Sequence, residues 1–185
     1  TYIQVDNASY ALGWIAAAFY DYPSEKLKLI GITGTNGKTT TVTLLHRLFT
    51  DFGFKTGMLS TVENKINNEI LPSTHTTPDA VAINCLLAEM LNQSCEYCFM
   101  EVSSHAIVQD RISGLCVEGA VFSNITHDHL DYHKTMEDYY QAKKLLFEKC
   151  DTAICNMDDD YGKRLYSEIS CSKYTYSSSQ KADYY

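Results

Sequence analysis

The chain has 185 residues, 45% of them hydrophobic and 21% charged, with a formal net charge of −8. That length supports one full core and little of a second, and the composition is that of a globular chain, not a disordered one. The negative balance offers no basic stripe to displace counterions from a nucleic acid, and no apolar run approaches the roughly 20 residues a membrane span requires.

At the start, Tyr2 to Val5 reads as a lone strand and Ala8 to Tyr20 as a helix. The apolar stretch Trp14 to Phe19 is short and follows no basic leader, so it does not read as a signal peptide. Leu27 to Ile32 is a strand, followed by GTNGKTT at 34–40 and a helix over Thr39 to Phe52, where Val42, Leu45, Leu48, Phe49 and Phe52 recur at helical spacing. A strand, a glycine-rich turn and a helix make a phosphate-binding loop. The turn exposes backbone N–H groups, Lys38 reaches the outer phosphates, and the Thr39 hydroxyl can sit on Mg²⁺. The strict spacing of two glycines around four residues is not met, because Ile32 stands where the first glycine belongs and Gly31 lies one residue upstream.

Lys55 to Ser60 reads as the next strand, Thr61 to Ile70 as a polar hairpin around Asn67-Asn68, and Pro72 to Pro78 as a loop. A helix is expected over Asp79 to Leu91. Further strands are expected at Tyr97 to Val102, Val117 to Ser123 and Thr152 to Asn156, with a last one at Lys173 to Tyr176. Helices over Ser104 to Arg111, Thr135 to Lys149 and Asp160 to Ile169 alternate with them. The alternation predicts an α/β fold of three layers, a mainly parallel sheet with helices on both faces. Ligands then gather at the carboxyl ends of the strands. That edge would receive Lys38, Glu101 and His129 from separate strands.

Seven cysteines, at 85, 95, 98, 116, 150, 155 and 171, are an odd count, and the Cys95–Cys98 pair has no second pair at a zinc-site distance. They read as small buried thiols of a reducing cytoplasm. His127, His129 and His133 allow a zinc site on spacing, but no third ligand motif accompanies them.

Six motifs stand in one order: GTNGKTT at 34–40, THTTPDA at 74–80, MEVSSHAI at 100–107, HDHLDYH at 127–133, YYQAKKLLF at 139–147 and NMDDDYG at 156–162. In this the chain resembles the Mur ligases, and among them the UDP-N-acetylmuramoyl-tripeptide synthetase type. The resemblance runs from about Ser24 to the end. It implies a P-loop central domain that uses ATP and Mg²⁺ in peptidoglycan precursor synthesis, in the cytoplasm. The implied reaction phosphorylates the D-glutamate carboxylate of UDP-N-acetylmuramoyl-L-alanyl-D-glutamate. A diamino acid, meso-diaminopimelate or L-lysine, then attacks the acyl phosphate.

The resemblance also assigns residues. Gly34, Thr35, Asn36, Gly37, Lys38, Thr39 and Thr40 would hold ATP, with Asn156 near the adenine and ribose. Lys38, Glu101, His129 and Lys143 would be catalytic, and Thr39, Glu101, His129 and a CO₂-derived carbamate on Lys143 would hold Mg²⁺. On the residues alone, Lys143 and Lys144 read as two solvated lysines of an amphipathic helix. His75, Thr76, Thr77, Ser103, Gln109 and Arg111 would hold the muramoyl dipeptide; His75 stands where some relatives carry Asn.

By the same resemblance, residues 1–23 are the end of an N-terminal uridine-nucleotide domain and 24–185 an incomplete central domain, without the C-terminal domain that selects the amino acid. The chain alone is then expected to bind Mg-ATP weakly and not to turn over. Two other readings stay open: a Mur-like ligase of the folylpolyglutamate or cyanophycin type, and a non-catalytic nucleotide-binding module in which Lys38 matters but Lys143 and His129 do not.

Overall fold

The computed structural model describes residues 2–127 and 133–185. Eight strands form one sheet: β1 (Lys28–Thr33), β2 (Thr56–Leu59), β3 (Glu63–Ile66), β4 (Glu69–Pro72), β5 (Tyr97–Glu101), β6 (Val117–Phe122), β7 (Cys150–Asn156) and β8 (Ser172–Tyr176), in the order β4-β3-β2-β5-β1-β6-β7-β8. Six strands, β2 through β8 along the sheet, run parallel, while β3 and β4 add an antiparallel hairpin at one edge. The hairpin turns at Asn67, whose φ of 53° suits an asparagine.

The central strands are apolar on both sides because helices lie on both faces. Helix α2 (Lys38–Asp51) covers one face, where Val42 meets Ile32, Met58 and Phe99, with Leu45 and Phe49 beside them. Phe49 contacts Tyr97 and Phe99 edge-on at 4.8 and 5.1 Å. The opposite face packs α3 (Ala80–Asn92), α4 (Ser104–Val108), α5 (Met136–Lys144) and α6 (Asp160–Glu168) against Leu29, Cys98, Met100, Ala120, Phe122 and Ala153. Strand residues therefore alternate between two cores, as the pleat requires.

Helix α1 (Ala8–Phe19) lies against this unit: Ala16 and Ala17 are buried. Gly13 is required there, since a Cβ would sit 2.4 Å from the Ser113 carbonyl.

Three expectations need correction. Tyr2 to Val5 form no strand; they are exposed and pair with neither sheet edge. The helix expected over Ser104 to Arg111 stops at Val108, where Gln109 caps it and Asp110 takes a φ of 58°. The helix expected to reach Lys149 stops at Lys144, and tight turns bonding Leu146 N to Lys143 O and Phe147 N to Lys144 O follow it. Those turns drive Leu146 and Phe147 into the core, and β7 begins two residues earlier than expected.

Candidate active site

Among the described residues, five of the six α-helices open with a side-chain cap: Asn7, Asp79, Ser103, Thr135 and Asp159 each accept a backbone N–H of the first turn. Helix α2 opens on Gly37 in the left-handed conformation, φ 87°, with no side-chain cap. Its first-turn N–H groups and the positive end of its dipole are thus left for an anion.

The loop before it is held from beneath by the segment after β6. Thr35 N donates to Asn124 O at 2.8 Å, Asn36 N to Asn124 Oδ1 at 2.9 Å, and Ser123 Oγ to Asn36 O at 2.8 Å. Gly34 is forced by that proximity, because a Cβ would sit 1.9 Å from Ser123 Oγ. Lys38 Nζ donates to the Gly34 and Thr35 carbonyls at 2.9 and 2.8 Å. Its ammonium is held at the loop's rim.

Glu101 ends β5 opposite Ile32 of β1, one strand from the phosphate loop. Glu101 is 1% exposed. Thr61 N and Oγ1 donate to its two oxygens at 2.9 and 3.2 Å, and Thr61 Oγ1 also lies 3.1 Å from Thr76 Oγ1. Thr77 Oγ1 donates to Glu101 O at 2.9 Å and accepts from Ser103 N at 3.0 Å. Arg111 extends one arm to Thr77 O at 2.8 Å, and Gln109 Oε1 accepts from its other two nitrogens at 3.0 and 2.6 Å. His75 is exposed, its Nδ1 3.0 Å from Thr74 Oγ1.

These side chains surround one cleft of about 270 Å³, lined by Lys38, His75, Thr76, Thr77, Ser103, His105, Gln109 and Arg111. Every residue expected to hold the dipeptide is thus brought to the wall that carries Lys38. A larger open hollow of about 550 Å³ between α4 and α5 carries none of these residues.

The two adjacent lysines of α5 part company. Lys144 Nζ pairs with Glu168 at 2.8 Å on the α6 side. Lys143 is 1% exposed and donates to Gly34 O at 3.0 Å, with Nζ 4.5 Å from the centre of the Tyr139 ring. A solvated pair is therefore excluded for Lys143, which reaches across from α5 to the same loop carbonyl that Lys38 holds.

Asn156 ends β7 and is engaged within the fold, with Nδ2 donating to Ser123 O at 2.7 Å. Of the acidic residues after it, Asp159 caps α6 and accepts from Ile125 N at 3.1 Å. Asp158 gathers Ser177, Ser178 and Ser179, and those hydrogen bonds, Ser177 first, hold its carboxyl well below the usual range. His129 lies outside the described residues. Among the described residues, no three His, Cys, Asp or Glu side chains converge on a possible metal position. Cys98 is fully buried, and desolvation pushes its thiol far up, but Cys85 and Cys116 are exposed, so the expectation of buried thiols is corrected for those two.

Mg²⁺ does not need such a cluster. It is commonly held by one or two carboxylates together with phosphate oxygens and water. A buried carboxylate one strand from the phosphate loop, with the Thr39 hydroxyl in the first turn of α2, fits that hard-oxygen chemistry.

Sequence reasoning assigned no role to Thr61, Asn124, Tyr139 or His105. Asn124 was signalled by its place directly after a strand end, and His105 by its place in the same motif as Glu101; Thr61 carried no local signal.

Fold and site together define an α/β nucleotide-binding protein of the P-loop kind, with a polar cleft beside the phosphate loop. Residues 32–185 match the model of the Mur ligase middle domain, and the chain belongs to the Mur ligase family. It is 57% identical to the UDP-N-acetylmuramoyl-L-alanyl-D-glutamate–2,6-diaminopimelate ligase of Cytophaga hutchinsonii, over 100% of this chain and 38% of that protein. It is 49% identical to the ligase of the same name from Bacteroides fragilis, again over the whole chain and 39% of the relative. The chain thus spans well under half the length of these relatives. A solved structure of a diaminopimelate ligase of that name superposes with a TM-score of 0.85 at 31% identity, covering 100% of this chain and 41% of that one. Escherichia coli FolC in complex with ADP superposes at 0.69 with 17% identity, covering 93% and 48%, a likeness of fold alone.

Proposed function

We propose that this chain is the nucleotide-binding middle domain of an ATP-dependent ligase that adds a diamino acid to UDP-N-acetylmuramoyl-L-alanyl-D-glutamate. The observation that carries the reading is that Lys38 belongs both to the phosphate loop and to the wall of the cleft formed by Thr76, Thr77, Ser103, Gln109 and Arg111. A carboxylate in that cleft and the outer phosphate of ATP on the loop are both anionic. Bringing them into contact requires fixed positive charge, and the Lys38 ammonium supplies it where charge develops.

The Arg111 fork is pre-oriented by Gln109 and suits a carboxylate or phosphate of the acceptor. Thr39, Glu101 and His129 would hold Mg²⁺, which when bound offsets phosphate charge. Lys143 as a carbamate would add an anionic oxygen ligand. Its burial beside the loop supports that role, although its amine would have to leave the Gly34 carbonyl to take up CO₂. ATP would be bound by residues 34–40, with Asn156 near the adenine and ribose. No helix among the described residues is long and apolar enough to cross a membrane, and a cytoplasmic location follows from the use of ATP. The names of the most similar relatives favour diaminopimelate over lysine as the added amino acid. They also disfavour a folate-extending ligase, whose resemblance rests on fold alone.

The acyl phosphate route is tested by labelling the D-glutamate side-chain carboxylate with ¹⁸O and assaying the full-length protein. One labelled oxygen in the released phosphate is expected. Phosphate that is formed at the same rate without label would overturn the route.

A further inference from the structure

A buried path of rings and hydroxyls runs from the cleft to the phosphate loop. At the cleft end, Ser104 and His105 open α4, directly after Ser103. His133 is 6% exposed, and its Nε2 lies 2.7 Å from Ser104 Oγ, itself 2% exposed. The His133 ring meets the His105 ring edge-on at 5.6 Å and lies tilted on Tyr139 at 5.0 Å. At the loop end, the buried Tyr139 hydroxyl is 3.3 Å from Thr35 Oγ1, which in turn accepts from Thr126 N at 3.0 Å. Packing alone would be served by an apolar residue at 133. Two buried hydrogen-bonded pairs, Ser104 with His133 and Tyr139 with Thr35, joined by the His133–Tyr139 ring contact, instead fix one relative placement of the elements they join.

We propose that His133 is a positioning residue that couples the dipeptide cleft to the phosphate loop, through Ser104 on one side and Tyr139 on the other. The proposal rests on the ligase reading above. Filling of the cleft is felt at the start of α4, and His133 and Tyr139 pass that placement to Thr35, so that acceptor and outer phosphate are aligned together.

The test uses the full-length protein and removes one hydroxyl at a time. Ser104→Ala is expected to raise KM for ATP, and Tyr139→Phe to raise KM for the dipeptide, each by about five-fold, in the range of couplings between contacting residues. Each effect falls on the ligand remote from the altered residue. Ser104→Thr, which keeps the hydroxyl, should restore the ATP value. In a His133→Phe background both remote effects should vanish. If that background does not fold, the Ser104→Ala/Tyr139→Phe double variant decides instead: coupling predicts an effect no larger than the worse single change. Remote effects below two-fold, their persistence without His133, or full multiplication in the double variant would each overturn the proposal. Mg-ADP affinity measured by titration with the dipeptide bound reads the same remote effect without turnover. A failed ligase reading would appear separately, as a parent protein with no dipeptide-dependent phosphate release.

Discussion

Thr61 is the residue on which the carboxylate of Glu101 depends, since its N–H and hydroxyl supply the hydrogen bonds to both oxygens. Removing the hydroxyl in Thr61→Val leaves Glu101 less firmly oriented. Changes to partners that orient a metal ligand typically weaken the metal about 10-fold or more. In the full-length protein the Mg²⁺ concentration for half-maximal phosphate release is therefore expected to rise by about that factor. An unchanged Mg²⁺ dependence would remove Glu101 from the metal site. Gly34→Ala is the complementary change in the backbone. Its Cβ meets Ser123 Oγ, so the loop must shift, and Mg-ADP affinity measured by titration should fall at least about 10-fold, as expected where a close backbone approach is lost. Affinity equal to the parent's would show that the loop tolerates the shift. Glycine and lysine identities in this loop were legible in the sequence because the chemistry leaves few substitutes. Thr61 was not, because its partner Glu101 is 40 residues away and only the folded sheet brings them together.

Elements were legible where one periodicity held from end to end. Helix α2 is such a case over most of its length, its Val42, Leu45 and Phe49 turned to one face of the sheet, whereas Leu48 and Phe52, expected on the same face, are exposed. Phe49 closes a ring cluster with Phe54, Tyr97 and Phe99. Phe49→Ala should cost about 3 kcal/mol by the usual cost of emptying an aromatic site, read as a shift in the denaturant midpoint at constant slope. A loss under 1 kcal/mol would show that the cluster collapses freely. Helix α5 shows where periodicity misleads. The apolar run Leu145 to Phe147 continues a helical pattern, yet Leu145 is exposed and only Leu146 and Phe147 are buried, from turns, because the chain must descend to enter β7.

Helices α5 and α6 are tied by Glu137, Arg164, Glu168 and Lys144. Arg164 holds the Glu137 carboxyl down to about 2, and Lys144 with Arg164 does the same for Glu168. Both folded values lie below the unfolded value of 4.5. Their contribution is therefore fully present above that value and is lost as pH falls towards 2. The groups are solvent-facing, so the effect is modest. Arg164→Ala should flatten the fall of thermal midpoint between pH 5 and about 2, whereas a parallel curve would show that these pairs contribute nothing.

At the scale of the whole molecule, the parallel sheet explains why the site assembles. β1, β5 and β6 are neighbours, and the segments after their carboxyl ends are the phosphate loop, the Glu101–Ser104 segment and the Ser123–Thr126 segment that underlies the loop. The alternation of strands and helices made that convergence legible, and the six ordered motifs made the family legible. What the sequence did not reveal is the direction each side chain takes. The opposite fates of Lys143 and Lys144 follow from one step of rotation about α5; residue type and periodicity do not distinguish them, and only the resemblance singled out Lys143. The central claim is that the loop and the cleft serve one amide-forming reaction. Its most direct test is phosphate release from ATP by the full-length protein, with UDP-N-acetylmuramoyl-L-alanyl-D-glutamate and with meso-diaminopimelate or lysine supplied separately. Release that requires both the dipeptide substrate and one amino acid, diaminopimelate in preference to lysine, is the predicted result. Release indifferent to both, or none from correctly folded protein, would contradict the claim and leave a nucleotide-binding module.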